Sequence, residues 1–550
     1  MPPQHTDHNT WYQIIHDYTQ RLVAMRSVSP GKDEVQVARE ILRMLHEDGL
    51  ATRYTASGLD AIESDPFGRQ NAYAFLQGQS ATTLVLLGHF DTVDTADYGP
   101  LEPWALDPPG LAARLDALTD IASGEDNSDW MFGRGVADMK SGVAINIALI
   151  RRLAREEHFP LSVVLLATPD EENESAGVLQ GVQLLLRLRE QYGLHYIGAI
   201  NTDYTTATYP GDRQRYIYTG TVGKLLPSFL CIGRESHAGA PFQGLDANLL
   251  AAELIRDLSM NDELCDTVRG QITAPPVTLH ASDLKDHYDV QLPFAASFYL
   301  NVLTFTTDPA MLLERLRAHA ENVLARLLQR IDETEWRWLQ VGNEQGRLER
   351  PQPRSGTVLT YADLYAETVR KYGEHYVNSA LMEVWEPITL DKRERSLHLV
   401  RRLWSLSGRQ GPAIIIAYAP PYYPYISATP GALHEAVKSI VQAHPEHPLV
   451  MREYFPLLSD MSYLRLEAGL DLSALKANMP LWRDSGPDFL PGAYTLPLAA
   501  IEQLDLPIVN WGPYGRGAHQ RHESVLMSYS FGTLPQLLYE TLQQLALTSR

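Results

Sequence analysis

The feature that most constrains the fold is a set of short, continuously apolar runs that alternate with helical patterns. Leu161–Thr168, "LSVVLLAT", is β-branched and apolar without interruption, as expected of a strand covered on both faces. Leu84–Leu87, Tyr196–Ile200 and Leu506–Val509 read the same way. Between them, Val35–Leu45, Gly142–Ala154 and Val178–Leu188 space their apolar residues three and four apart, the period of an amphipathic helix. Strands that alternate with helices predict an α/β domain built on a largely parallel sheet. In such sheets a ligand sits beyond the carboxyl ends of the strands.

The texture changes near Tyr218. "TVGKLLPSFLCIGRESHAGAP" and "AASFYLNVLTF" alternate as half-exposed strands do, and helical patterns follow at Ala247–Leu258 and Pro309–Ile331. Arg347–Gly356 is a polar connector, and Tyr361–Leu406 reads as helical. "GPAIIIAYAPPYYPYISATPG" reads as a strand ending in a rigid Pro/Tyr loop at the surface or lining a pocket. The α/β texture resumes after Ala432. The expected organisation is therefore an α/β domain over 1–217 and 431–550, with an α+β domain inserted over 218–430.

With 550 residues the chain exceeds one ordinary domain. A balance of 46 basic against 67 acidic residues, net −21, argues against a nucleic-acid surface and against attraction to anionic membranes. Only Cys231 and Cys265 are present, which excludes a disulfide framework and a thiolate zinc site. The N-terminal stretch lacks the basic and apolar regions of a secretion signal, and no apolar run is long enough to span a bilayer. A cytoplasmic enzyme or binding protein is the expectation.

Chemistry-bearing residues follow each predicted strand. "GHFDTV" supplies His89 and Asp91, "ATPDEENES" supplies Asp170, Glu171 and Glu172, and "NTDYT" supplies Asp203. "GAHQRHESV" supplies His519 and His522, and "GRGVADMKSG" places Asp138 at a turn before a helix. Taken singly, each has an ordinary reading as a cap or a solvated loop. Together they supply the two imidazoles and at least three carboxylates needed by two divalent ions that share one bridging carboxylate. Such a pair of ions polarises a carbonyl and acidifies water, and a spare carboxylate must then carry the proton.

As a set, these motifs resemble the M20 metallopeptidase family of di-zinc exopeptidases, deacylases and amidohydrolases. The resemblance covers most of the α/β portion together with "SHAGAPFQGLDAN" of the insertion. It implies a mostly parallel-sheet catalytic domain with an inserted α+β lid, which mediates dimerisation. By the same resemblance Asp138 bridges two metal ions, His89 and Asp203 complete one site, and Glu172 and His519 complete the other. Glu171 is implied as general base and Asp91 as the residue that orients His89. His519 is preferred to His522 because the family's last ligand stands four residues before a Glu, here Glu523. The "SHAGAP" histidine, His237, is implied as the donor to the oxyanion. Zinc is the implied metal, with cobalt and manganese as alternatives.

Two departures stand out. Where many members carry "LDIR" in the lid, this chain has "LNVLTF", so Leu303 replaces the Arg that binds a substrate carboxylate. The insertion is also about twice the usual lid length. A homodimer through the lid, or a monomer whose enlarged lid complements itself, is expected. The long chain, "HFDTVDTADYG" and the helical insertion most resemble the RocB-type arginine-utilisation branch. The implied function is hydrolysis of an amide bond in a small peptide or an N-acyl or N-carbamoyl amino acid, with an arginine-related substrate. The competing class is a non-catalytic ligand-binding or regulatory protein on the same fold. A decayed site would have lost a ligand or the base, and all seven core positions are intact. A nucleotide-binding reading fails because neither glycine-rich stretch has the P-loop or G-x-G-x-x-G pattern.

Overall fold

The structure is a computed structural model, and it describes residues 6–115, 127–285, 287–342, 348–385, 391–484 and 492–548. Two compact units emerge. The first comprises 1–221, 426–467 and 497–550, and the second comprises 222–425 and 468–496.

The sheet of the first unit runs, edge to edge, Ala56–Ala61, Gln70–Leu76, Ser162–Thr168, Thr82–His89, His195–Asn201, Ile508–Asn510, Arg215–Thr221 and Leu449–Phe455. Its centre is parallel: Thr82–His89 pairs in that sense with Ser162–Thr168 and with His195–Asn201, which in turn pairs so with Ile508–Asn510. The flanks turn antiparallel, at Gln70–Leu76 against Ser162–Thr168, in the hairpin with Ala56–Ala61, and where Ile508–Asn510 meets Arg215–Thr221. The sheet is thus mixed around a parallel core. Every residue of Ser162–Thr168 is buried, which explains the uninterrupted apolar run. Helix Glu34–His46 buries Val37, Ala38, Ile41, Met44 and Leu45, the stripe that its periodicity predicts. Helix Lys140–Ala154 is buried along almost its whole length.

The second unit holds a five-stranded sheet in the order Val277–Asp283, Ala295–Thr304, Gly223–Ile232, Ala413–Tyr423, Thr357–Thr360. Helix Pro309–Gly342 continues past the expected Ile331, because its distal end carries further helix-forming residues and Trp338 packs at a tilt against Phe242, ring centroids 5.5 Å apart. The segment Tyr361–Leu406 resolves into helices Tyr361–Tyr372, Glu374–Met382 and Lys392–Ser407, with 386–390 outside the described residues. The Pro/Tyr cluster is not a surface loop. Strand Ala413–Tyr423 runs through Pro420 and Pro421 with every residue buried, and its register against Gly223–Ile232 shifts between Ala419 and Tyr423. A shift there fits residues that cannot donate to the ladder.

Residues 468–496 pack with the second unit although the α/β texture suggests that everything after 431 belongs with the first. Apolar anchors explain the difference: Leu475, Met479 and Trp482 are buried. Asn478 accepts the backbone N–H of Ala362 at 3.0 Å, and the Tyr494 hydroxyl accepts that of Tyr422 at 3.0 Å. No helix among the described residues is long and apolar enough to cross a membrane.

Candidate metal centre

All five ligand candidates lie in the first unit, at the ends of its elements. His89 closes strand Thr82–His89, and Asp203 follows strand His195–Asn201. Glu171 and Glu172 sit just past Ser162–Thr168, and Asp138 lies at the turn before helix Lys140–Ala154. His519 is on the connection between strands Gly515–Arg516 and Ser524–Leu526. Close backbone approach makes the convergence sterically feasible. A Cβ on Gly142 would stand 2.1 Å from the Thr202 carbonyl oxygen, and one on Gly512 would stand 2.0 Å from that of Asp203. Only glycine fits at either position.

His89, Asp138 and Asp203 offer ligand atoms that all lie within 4.8 Å of one another, and so do Asp138, Glu172 and His519. Asp138 belongs to both groups. Its Oδ1 is 3.1 Å from His89 Nε2, and its Oδ2 is 3.3 Å from His519 Nε2, which is also 3.0 Å from Glu172 Oε1. His89 and Asp203 are buried, whereas the His519 side chain is 50% exposed. His522, the other histidine of that loop, is in neither group. A third group, His444, Glu446 and His447, follows helix Ala432–Ala443. There the two nitrogens of His444 face Glu446 at 2.9 Å and Glu540 at 2.7 Å, an ion-pair arrangement complete in itself.

The carboxylate of Asp91 accepts the backbone N–H of Glu171 on Oδ1 at 3.1 Å and that of Glu172 on Oδ2 at 3.0 Å. His89 Nδ1 faces the Asp91 carbonyl oxygen at 3.2 Å and its Oδ1 at 3.4 Å. Glu171 Oε2 stands 3.8 Å from His89 Nε2, outside hydrogen-bond range. His237 belongs to the second unit, where it is exposed and accepts the Gly239 N–H on Nδ1 at 2.9 Å. That bond places the ring proton on Nε2.

Electrostatics favour added positive charge. Burial and the neighbouring charges of Glu172, Asp460 and Asp203 hold the Glu171 carboxyl well above its usual range. Burial and the Asp138 charge do the same to Asp203. Asp138 moves the other way, because the hydrogen bonds from His519 and His89 outweigh its burial. Those to Asp138 and Glu172 push His519 up to about 11. Four acids crowded out of water need compensation, and hard or borderline divalent ions suit this oxygen and imidazole set, which lacks thiolates.

The supporting residues were less legible. Asp170, which the sequence groups with Glu171 and Glu172, instead faces away, paired with buried Arg69 and donating its N–H to Glu34 at 2.9 Å. Asn510 accepts the Asp203 N–H at 3.1 Å and donates to its carbonyl at 3.0 Å. Asp460 is buried and accepts from the Thr168 hydroxyl at 2.7 Å. Asn510 and Asp460 have no spacing signal. Glu523 is partly foreshadowed, since its distance from His519 selects that histidine.

Comparison with known proteins gives the family. Residues 85–473 match the Peptidase family M20/M25/M40. The chain is 32% identical over 540 residues to the uncharacterized protein YqjN of Bacillus subtilis (strain 168), covering 95% of each. It is 32% identical over 496 residues to protein RocB of the same strain, covering 88% of this chain and 86% of RocB. The chain therefore belongs to peptidase family M20, and it is an enzyme of that metal-dependent peptidase and amidohydrolase class. Among solved structures, aminopeptidase PepT from Bacillus cereus ATCC 10987 aligns with a TM-score of 0.52 at 12% identity, covering 97% of this chain and 99% of that one. That likeness is one of fold.

Proposed function

We propose that this enzyme uses two divalent ions, zinc by preference, to cleave an amide bond in a small peptide or an N-acyl or N-carbamoyl amino acid. The observation that carries the reading is Asp138, whose two oxygens face two separate groups of ligand atoms. His89 and Asp203 would hold one ion with Asp138, and Glu172 and His519 the other. Bound there, the ions supply carbonyl polarisation and a water acidic enough to react near neutrality.

The chain's own residues divide the remaining work. Glu171 takes the proton of the attacking water and delivers it to the leaving nitrogen. Its raised affinity for protons suits that traffic. Asp91 fixes the orientation of His89 and of the Glu171–Glu172 backbone at once. His237 presents an Nε2–H donor for the oxyanion.

The substrate is proposed to be arginine-related, on the resemblance to the RocB-type branch and the 32% identity to RocB. A net charge of −21 suits a cationic substrate. Leu303 is buried, 9% exposed, and so supplies no carboxylate clamp. The oligomer is proposed to be a homodimer through the second unit. Strand Val277–Asp283 pairs on one side only among the described residues, and Val277 and Leu279 on it are exposed.

The test is hydrolysis by metal-loaded protein of a panel of dipeptides and of N-acyl and N-carbamoyl amino acids, arginine derivatives included. Turnover of at least one amide class supports the proposal, and inertness with two ions bound removes it. A monomeric mass by light scattering would replace the dimer with a self-complementing lid.

A further inference from the structure

We propose that Arg134 and Glu523 are positioning residues whose buried ion pair sets the metal affinity of the His519 site. This inference rests on the di-metal reading and goes beyond it to residues that touch no ligand atom.

Arg134 is 1% exposed and Glu523 0%. Arg134 Nη1 donates to Glu523 Oε2 at 2.8 Å, Nη2 to Asp97 at 2.6 Å, and Nε to the Asp94 carbonyl at 3.0 Å. The other Glu523 oxygen, Oε1, accepts the backbone N–H groups of Ala137 at 3.1 Å and Asp138 at 3.3 Å. The Glu523 carbonyl also accepts the Gly133 N–H at 3.1 Å. One guanidinium and one carboxylate thereby tie together the loop after Asp91, the Asp138 turn and the loop of His519.

The two metal groups depend on this pair unequally. His89 and Asp203 adjoin central strands, whose ladders hold them without help from Glu523. His519 has no such ladder. Its half-exposed loop is fastened on its far side at Glu523, four residues on, where strand Ser524–Leu526 pairs with Trp130–Phe132. Asp138 also donates its backbone N–H to that carboxylate, but its turn keeps backbone bonds of its own, from Lys140 to Gly135 at 2.9 Å and from Val143 to Met139 at 3.1 Å. Loosening the pair should therefore displace His519 relative to Asp138 while leaving the His89 side in place. Losing one charge alone would also strand its partner in a dry interior, so the cleaner perturbation removes both.

The experiment titrates chelator against zinc-loaded wild type, Glu523→Gln, Arg134→Lys and the double variant Arg134→Met/Glu523→Gln, counting ions per chain by elemental analysis. Circular dichroism and Tm are followed in parallel. The expected result is two ions in the wild type, with one of them leaving the variants at about 10–100-fold lower chelator and the other unmoved. Adding His519→Ala to the double variant should weaken no further ion. Release of both ions together, unshifted release, or ion loss that merely follows unfolding in all three variants overturns the proposal. A wild type that never holds two ions instead overturns the di-metal reading itself.

Discussion

Asp91 receives the backbone N–H of Glu172 on Oδ2 at 3.0 Å, while its Oδ1 receives that of Glu171 at 3.1 Å. One carboxylate thus sets the direction in which two consecutive acids leave the main chain. An Asp91→Asn side chain has a single accepting oxygen, so one of those N–H groups loses its partner. The expected cost is about 10–100-fold in metal affinity or activity. Equilibrium dialysis and kcat/KM on the same preparation check it, and full activity would reduce Asp91 to a bystander.

Glu171→Gln should retain both ions, since Glu171 is in neither group of ligand atoms. Turnover should fall by about 10²–10⁴-fold, the usual worth of a positioned general base. Elemental analysis beside steady-state kinetics separates the outcomes. Hydrolysis at wild-type rate would assign the proton transfer elsewhere.

Asp138→Ala removes the one residue common to the two groups, so both ions should be lost together. Asp203→Asn should weaken mainly the His89 side. A preparation of Asp138→Ala that still carries two ions per chain contradicts the bridging role.

His237→Ala should leave KM and Tm nearly unchanged, because the exposed Gly239 N–H can turn to water. The kcat should drop by about 10²–10³-fold, as for loss of one oxyanion donor. An unaltered kcat would leave His237 a turn residue.

Asp266 offers a pH test away from the metal centre. Its burial would raise its pKa, but the Thr307 hydroxyl and the N–H groups of Thr306, Thr307 and Phe305 outweigh that and hold it below the usual range. A depressed carboxyl stabilises the folded state above the unfolded value of about 3.9, and that stabilisation is lost as pH falls through the folded value. Asp266→Asn should therefore cost about 2 kcal/mol at neutral pH, with the gap to wild type closing in acid. Hydrogen exchange at the amides of residues 305–307 measures it, and a pH-independent gap would refute the charge argument.

What the sequence disclosed and what it hid differ in physical kind. A strand buried on both faces has no freedom in composition, so Ser162–Thr168 and Thr82–His89 were readable, and with them the edge where His89 and Glu171 emerge. The hairpin of Ala56–Ala61 with Gln70–Leu76 was not, because "ASGLDA" is half-exposed and carries no β-branched residue. The ionic group of Arg69, Glu34, Asp65 and Asp170 was equally hidden. Charged residues read as solvated until the fold places them out of water, and only pairing in space makes their burial tolerable. Asp170 shows the limit of adjacency. It neighbours Glu171 in the chain yet turns toward Arg69, its own backbone at φ 73°.

The second unit's claim on residues 468–496 has a consequence for dissecting this enzyme. An excision of 222–425 alone would leave Leu475, Met479 and Trp482 with the apolar surfaces they cover removed. The polypeptide enters and leaves that unit twice, so no single cut frees it. A minimal catalytic half must be spliced at two places, and one spliced only at the obvious place should be sticky and prone to aggregate.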